Sequence, residues 1–129
     1  MRAEELKGHL DAVLLAALEG GPRHGYAVIE ALRQSTDGRL DLPTGTIYPA
    51  LRRLEQAGLI AGTWSVVGGR RRREYQLTPA GVRALSGRRA AWRDFSATVT
   101  AALESAAWVN AALENAALED TACPSPNPA

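Results

Sequence analysis

From Thr78 onward the chain keeps a single helical pattern over a greater length than anything else in it, and that run limits the available folds. Thr78 and Pro79 form a well-specified helix start, a hydroxyl able to cap first-turn amides followed by a proline whose missing N–H costs nothing there. No further proline occurs until Pro124. Trp92, Phe95, Val99, Leu103, Ala106, Val109 and Leu113 recur at three- and four-residue steps, and AALE repeats at 101, 111 and 116. About forty residues of helix would span about 60 Å, more than so small a domain can cover. The stripe therefore calls for a partner chain, and a symmetric dimer is the commonest solution. Asn110 and Asn115 mark a place where the run can break, so one helix or two consecutive helices both fit.

Ahead of that run lies an amphipathic segment, Leu42 to Ile60, with Ile47, Leu51 and Leu54 on one helical face. The opposite face carries Thr44, Thr46, Tyr48, Pro49, Arg52, Arg53 and Gln56. Thr44 is read as the N-cap and Gly58 as the left-handed residue that stops the helix. Pro49 would then be the fifth helical residue, where it removes a hydrogen bond, and a start at Thr46 would relieve this. Small donors and a tyrosine at the N-terminal end, with arginines behind, suit insertion into a DNA major groove. An ordinary polar surface helix has a similar pattern, so the neighbouring segments must decide between them.

Leu59 to Val67, then Gly68 and Gly69, then Arg70 to Thr78 read as a β-hairpin around a two-glycine turn. Its tip and returning strand hold Arg70, Arg71, Arg72 and Arg73 in a row. Adjacent like charges repel and gain nothing by folding together, which points to an anionic partner. Upstream, a first helix is expected over Leu6 to Glu19, ended by Gly20, Gly21 and Pro22, and a second over Gly25 to Ser35. His24 and Tyr26 at the start of the second helix have two readings: phosphate contacts beside the groove helix, or a capping histidine and a packed tyrosine with its hydroxyl in water. Arg39 to Leu42 is read as a short strand.

The net charge of +1 conceals segregation. Residues 1–38 carry four bases and six acids, residues 39–93 eleven and three, and residues 94–129 none and five. A basic module between acidic flanks is the footprint of a polyanion partner. No stretch is apolar enough to span a membrane, and the first ten residues lack the form of a signal peptide, so a cytoplasmic location is expected. No cofactor is implied. The single cysteine, Cys123, lies in a Pro-rich tail, and His9 and His24 stand apart, so neither a metal site nor an internal disulfide is expected. No nucleophile with a base and no phosphate-cradling loop is present, which argues against an enzyme.

The order helix, helix, groove helix, arginine-tipped hairpin, long helix is that of a winged helix-turn-helix module with a C-terminal dimerisation helix: a mainly α fold with a small β-hairpin. The motifs GPRHGYAVIEAL, LPTGTIYPALRRLEQAGLI and GGRRRREYQLTPAGVRAL closely resemble the PadR family of bacterial transcriptional regulators, over about residues 8 to 100. The resemblance is to its short-tailed branch. His24, Gly25 and Tyr26 match the family's HGY, and Thr46 and Tyr48 its T-[LI]-Y motif. The resemblance implies a homodimeric repressor on a palindromic operator, released by a small molecule or by stress. It implies that Thr44 to Arg53 reads the major groove while the tip from Gly68 to Arg72, with Gly69, Arg70 and Arg71, contacts the backbone or minor groove. Some members bind aromatic or cationic compounds between protomers beside a tryptophan, and Trp92 falls at that position.

The expected organisation is a DNA-binding domain over residues 1–80, a dimerisation helix or helices over 81–120, and a disordered tail over 121–129. Trp92, Phe95 and Trp108 are the candidate effector surface, with plain interface packing as the competing reading. The alternative from another class is a winged-helix protein-interaction module whose basic surface binds an acidic partner.

Overall fold

The computed structural model describes residues 3–6, 8–105 and 110–116. They fall in two compact units, residues 1–90 and residues 91–129. In chain order the elements are a short 3-10 turn at Ala3–Leu6, α1 (Leu10–Ala17), β1 (Arg23–His24), α2 (Gly25–Ser35), α3 (Thr44–Gln56), β2 (Ile60–Val67), β3 (Arg70–Leu77) and α4 (Pro79–Glu104). The three strands form one antiparallel sheet in the order β1, β3, β2.

One apolar core holds the first unit together. Leu14, Leu15 and Leu18 from the first helix and its end meet Val28 and Leu32 of α2 and Ile47, Ala50, Leu51 and Leu54 of α3. Ile60 and Tyr75 close it from the sheet and Leu85 from α4. The stripe Ile47, Leu51, Leu54 is thus inward, as its spacing requires. Gly58, at φ +77, ends α3: the Leu59 amide donates to the Leu54 carbonyl and the Gly58 amide to that of Glu55, a Schellman closure.

The hairpin also forms as its sequence predicts. Val67 pairs with Arg70 across Gly68 and Gly69, at φ +59 and +78. Two positive φ values in a two-residue loop are what the right-handed twist of a hairpin demands. Thr78 is the N-cap of α4: its hydroxyl accepts from the Gly81 amide at 3.1 Å and donates to the Gly58 carbonyl at 2.7 Å. One side chain thereby joins the end of α3 to the start of α4.

Three expectations are corrected. The first helix starts at Leu10 rather than Leu6, because Gly8 at φ +88 breaks the path after the 3-10 turn. Arg39 to Leu42 is not a strand: Leu40 and Leu42 are buried, but the Leu40 amide donates to the Thr36 hydroxyl instead of a sheet neighbour. The edge of β3 is taken by Arg23 and His24, opposite Tyr75 and Glu74. The N-cap of α3 is Pro43, whose carbonyl accepts from the Thr46 and Ile47 amides, so Thr44 is the first helical residue and Pro49 the sixth. Gly45 and Pro49 are both exposed, so water can satisfy the carbonyl that loses its partner to the proline.

At the C-terminal end, where one helix or two both fit the sequence, α4 stops at Glu104 and residues 110–116 are helical again. Residues 106–109 and 117–129, and with them Trp108, Cys123 and the expected disordered tail, lie outside the described residues. Near its start α4 is tied back by Arg89, which donates to both Glu19 carboxylate oxygens at 2.7 Å. That hydrogen bond holds the Glu19 carboxyl below its ordinary range, so the contribution of the pair is present at neutral pH and is lost as acid protonates Glu19.

Candidate nucleic-acid interface

The outward side of α3 presents Thr44, Tyr48, Pro49, Arg52 and Gln56 to solvent, with Thr46 half-buried. Arg52 forms no ion pair among the described residues, whereas Arg53 reaches α1 and pairs with Asp11 at 2.5 Å. The two adjacent arginines therefore have different surroundings: Arg52 has no ion pair among the described residues, and Arg53, still exposed, also ties α3 to α1.

The start of α2 is built against this helix. His24 is the N-cap, its Nδ1 accepting from the Ala27 amide at 3.2 Å, which realises the capping reading. Tyr26 stands 65% exposed. Gly25 is buried beneath Tyr48: a Cβ at this position would lie 2.5 Å from the Cζ and Oη atoms of the tyrosine. The HGY and T-I-Y motifs are thus two halves of one contact, with a glycine needed so that the ring can lie across the first turn of α2. Partial burial, with Tyr26 and Tyr75 nearby, raises the Tyr48 phenol above its ordinary value. Its hydroxyl accordingly keeps its proton at neutral pH and can donate to a phosphate.

The wing sorts its arginines by strand alternation. Arg71 and Arg73 share a face with Trp64 and Val66, while Arg70 and Arg72 take the other face, opposite Val67 and Ser65. The Arg71 guanidinium lies 4.6 Å from the centre of the Trp64 ring and that of Arg73 5.4 Å. Arg73 also donates to the Glu55 carboxylate of α3. Of the run of four, Arg70 and Arg71 are exposed and Arg72 is half-buried, while Arg73 is turned back onto the protein. Glu55 and Trp64 were not apparent from the sequence as functional positions, and Arg73 stood there only as one of four equivalent cations. The usable signal was the alternation of β3, which separates Arg73 from Arg72.

In the second unit, Trp92 and Phe95 stack at 6.0 Å between ring centres, inclined by 36°. Both are more than half exposed, and Leu103, two turns further along α4, is 79% exposed. No helix among the described residues is long and apolar enough to cross a membrane.

A helix with a polar outer face, preceded by a second helix packed across it and followed by a basic two-stranded wing, defines a winged helix-turn-helix protein. The chain belongs to the PadR-like family of transcriptional regulators: the sequence model of that family matches residues 14–87. It is 40% identical over 77 residues to a transcriptional regulator of Mycobacterium tuberculosis, covering 60% of this chain and 59% of that protein. Among solved structures it resembles a PadR family regulator from Eggerthella lenta at 33% identity and TM-score 0.67, over 78% of this chain and 87% of that one. A transcriptional regulator from Clostridium thermocellum matches at 26% identity and TM-score 0.70, over 76% of this chain and 96% of that one.

Proposed function

We propose that this regulator is a sequence-specific DNA-binding homodimer, a repressor that holds a palindromic operator and leaves it when a small aromatic or cationic effector binds or the cell is stressed. The observation that carries the reading is the pairing of Arg73 with Glu55, which joins the arginine wing to α3. Two such surfaces about one DNA turn apart, roughly 34 Å, would read two half-sites. Thr44, Thr46 and Arg52 would discriminate bases, while Tyr48, Arg70, Arg71 and Arg72 would fix position through phosphates. Retardation of a duplex carrying the protein's own upstream region tests the reading, and absence of any shift at low salt would refute it.

Arg71→Ala should weaken binding to all sequences alike and lower the slope of log K against log salt by about 0.9 for each phosphate that the side chain no longer neutralises. Binding titrations at four salt concentrations measure this, and an unchanged slope would remove the wing tip from the interface.

Gly25→Ala acts one step away from DNA. The new methyl collides with the far end of Tyr48 and not with backbone, so the ring swings aside while the fold survives. Losing a tyrosine hydrogen bond in each half-site should cost about tenfold in affinity. Made on top of Tyr48→Ala, the same change should cost nothing further. Fluorescence anisotropy with labelled duplex reads both, and equal losses in the two backgrounds would break the link between Gly25 and Tyr48.

A further inference from the structure

We infer that Arg73 is a positioning residue for DNA binding, locking the wing to α3 through Glu55, and that it is not itself a DNA contact; this rests on the DNA-binding reading above. Three observations point to it. The two side chains form an ion pair in which each is about two-thirds buried, 32% and 29% exposed, whereas Arg70 and Arg71 at the wing tip are exposed. Gly62 on β2 clears the path: a Cβ there would lie 2.7 Å from the Arg73 Nε and 2.8 Å from Cζ, so the guanidinium can cross the strand only over a glycine. Trp64, opposite Arg73 in the register and 59% exposed, is flanked by Arg73 and by Arg71. The series Glu55, Arg73, Trp64, Arg71 therefore runs from the groove helix to the outer wing and fixes where Arg71 can be.

Charge alone makes the opposite prediction. Glu55 is an acid on the helix that would enter the groove, and removing it should relieve repulsion of phosphates and release a cation toward them. If Arg73 is a lock, the same change frees the wing and weakens binding, because the ordering of the wing must then be supplied during association.

The test uses the full chain and a duplex that the unaltered protein retards. Glu55→Ala, Arg73→Ala and Gly62→Ala should each weaken binding by about tenfold, and the double change at 55 and 73 should be no worse than either single change. Gly62→Ala keeps every charge, so its salt slope should match that of the unaltered protein while its affinity falls. Thermal unfolding of each variant, with binding measured well below its midpoint, separates loss of positioning from loss of fold. Tighter binding by Glu55→Ala, or undiminished affinity in Gly62→Ala, overturns the inference while leaving the DNA reading intact. Failure of the unaltered protein to retard any duplex overturns the DNA reading itself.

Discussion

Gly81→Ala should cost the fold about 3 kcal/mol or more, lowering the midpoint of thermal unfolding by roughly 10 °C or more. Helix propensity alone predicts the reverse, since alanine is favoured over glycine in a helix interior by about 1 kcal/mol. The clash must win because of what stands opposite. A Cβ on Gly81 would overlap the Leu59 carbonyl oxygen, and that carbonyl is backbone with little room to retreat. It accepts from the Thr78 amide at 3.1 Å, while the Leu59 amide is itself bound to the Leu54 carbonyl in the closure of α3. Moving it would loosen both the end of α3 and the start of α4. Gly87 supplies the control on the same helix: nothing lies within 4 Å of a Cβ there. Gly87→Ala should therefore stabilise by about 1 kcal/mol, raising the midpoint by roughly 4 °C. Thermal unfolding followed by circular dichroism measures both, and shifts of the same sign would refute the packing account of Gly81.

Much of this architecture was legible because its signals are local. Thr78 followed by Pro79 marks a helix start, a two-glycine loop between β-prone runs marks a hairpin, and Ile47, Leu51 and Leu54 mark a buried face. Each depends only on residues within a turn or two of one another. The strand at Arg23–His24 was hidden for the opposite reason. Two residues carry no periodicity, and their pairing with Glu74 and Tyr75 is made some fifty positions away. Leu40 and Leu42 alternate with Asp41 as a strand would, yet the backbone partner that would make them one is already engaged elsewhere. Apolar spacing also carried the first helix back to Leu6, since periodicity does not register that Gly8 adopts a positive φ.

The candidate interface divides along the same line. Which side chains of α3 face outward followed from the helical period. Which of its charges are free did not, because Asp11 for Arg53 and Glu55 for Arg73 are fixed by tertiary contacts. Charge counting treated the four wing arginines as equivalent, whereas the pleat of β3 sends alternate ones to opposite faces. The collision that makes glycine necessary at position 25 was likewise invisible, since it involves two motifs on different helices.

The largest loss of DNA affinity should come from α4, far along the chain from any proposed DNA contact. Phe95→Glu combined with Leu103→Glu should separate the proposed dimer and reduce affinity for its proposed operator by about 10²–10⁴-fold, the advantage that linking two binding modules ordinarily supplies. Phe95 is 57% exposed and Leu103 79% exposed on a helix where Trp92 and Val99 continue the same stripe. Apolar side chains at this spacing gain from a facing chain, and a symmetric pairing brings each stripe against its own copy. A carboxylate at each position would then have to be buried without a partner, which an interface of this kind does not tolerate. The change leaves Trp92 in place as a fluorophore and lies outside α3 and the wing. Sedimentation should show a dimer for the unaltered chain and a monomer for the variant, with the helical signal of the first unit retained. The salt slope per protomer should also persist, because the proposed phosphate contacts are untouched and only their coupling is removed. A variant that remained dimeric and bound DNA normally would place the pairing surface elsewhere, and with it the geometry proposed to set two copies of α3 one turn apart.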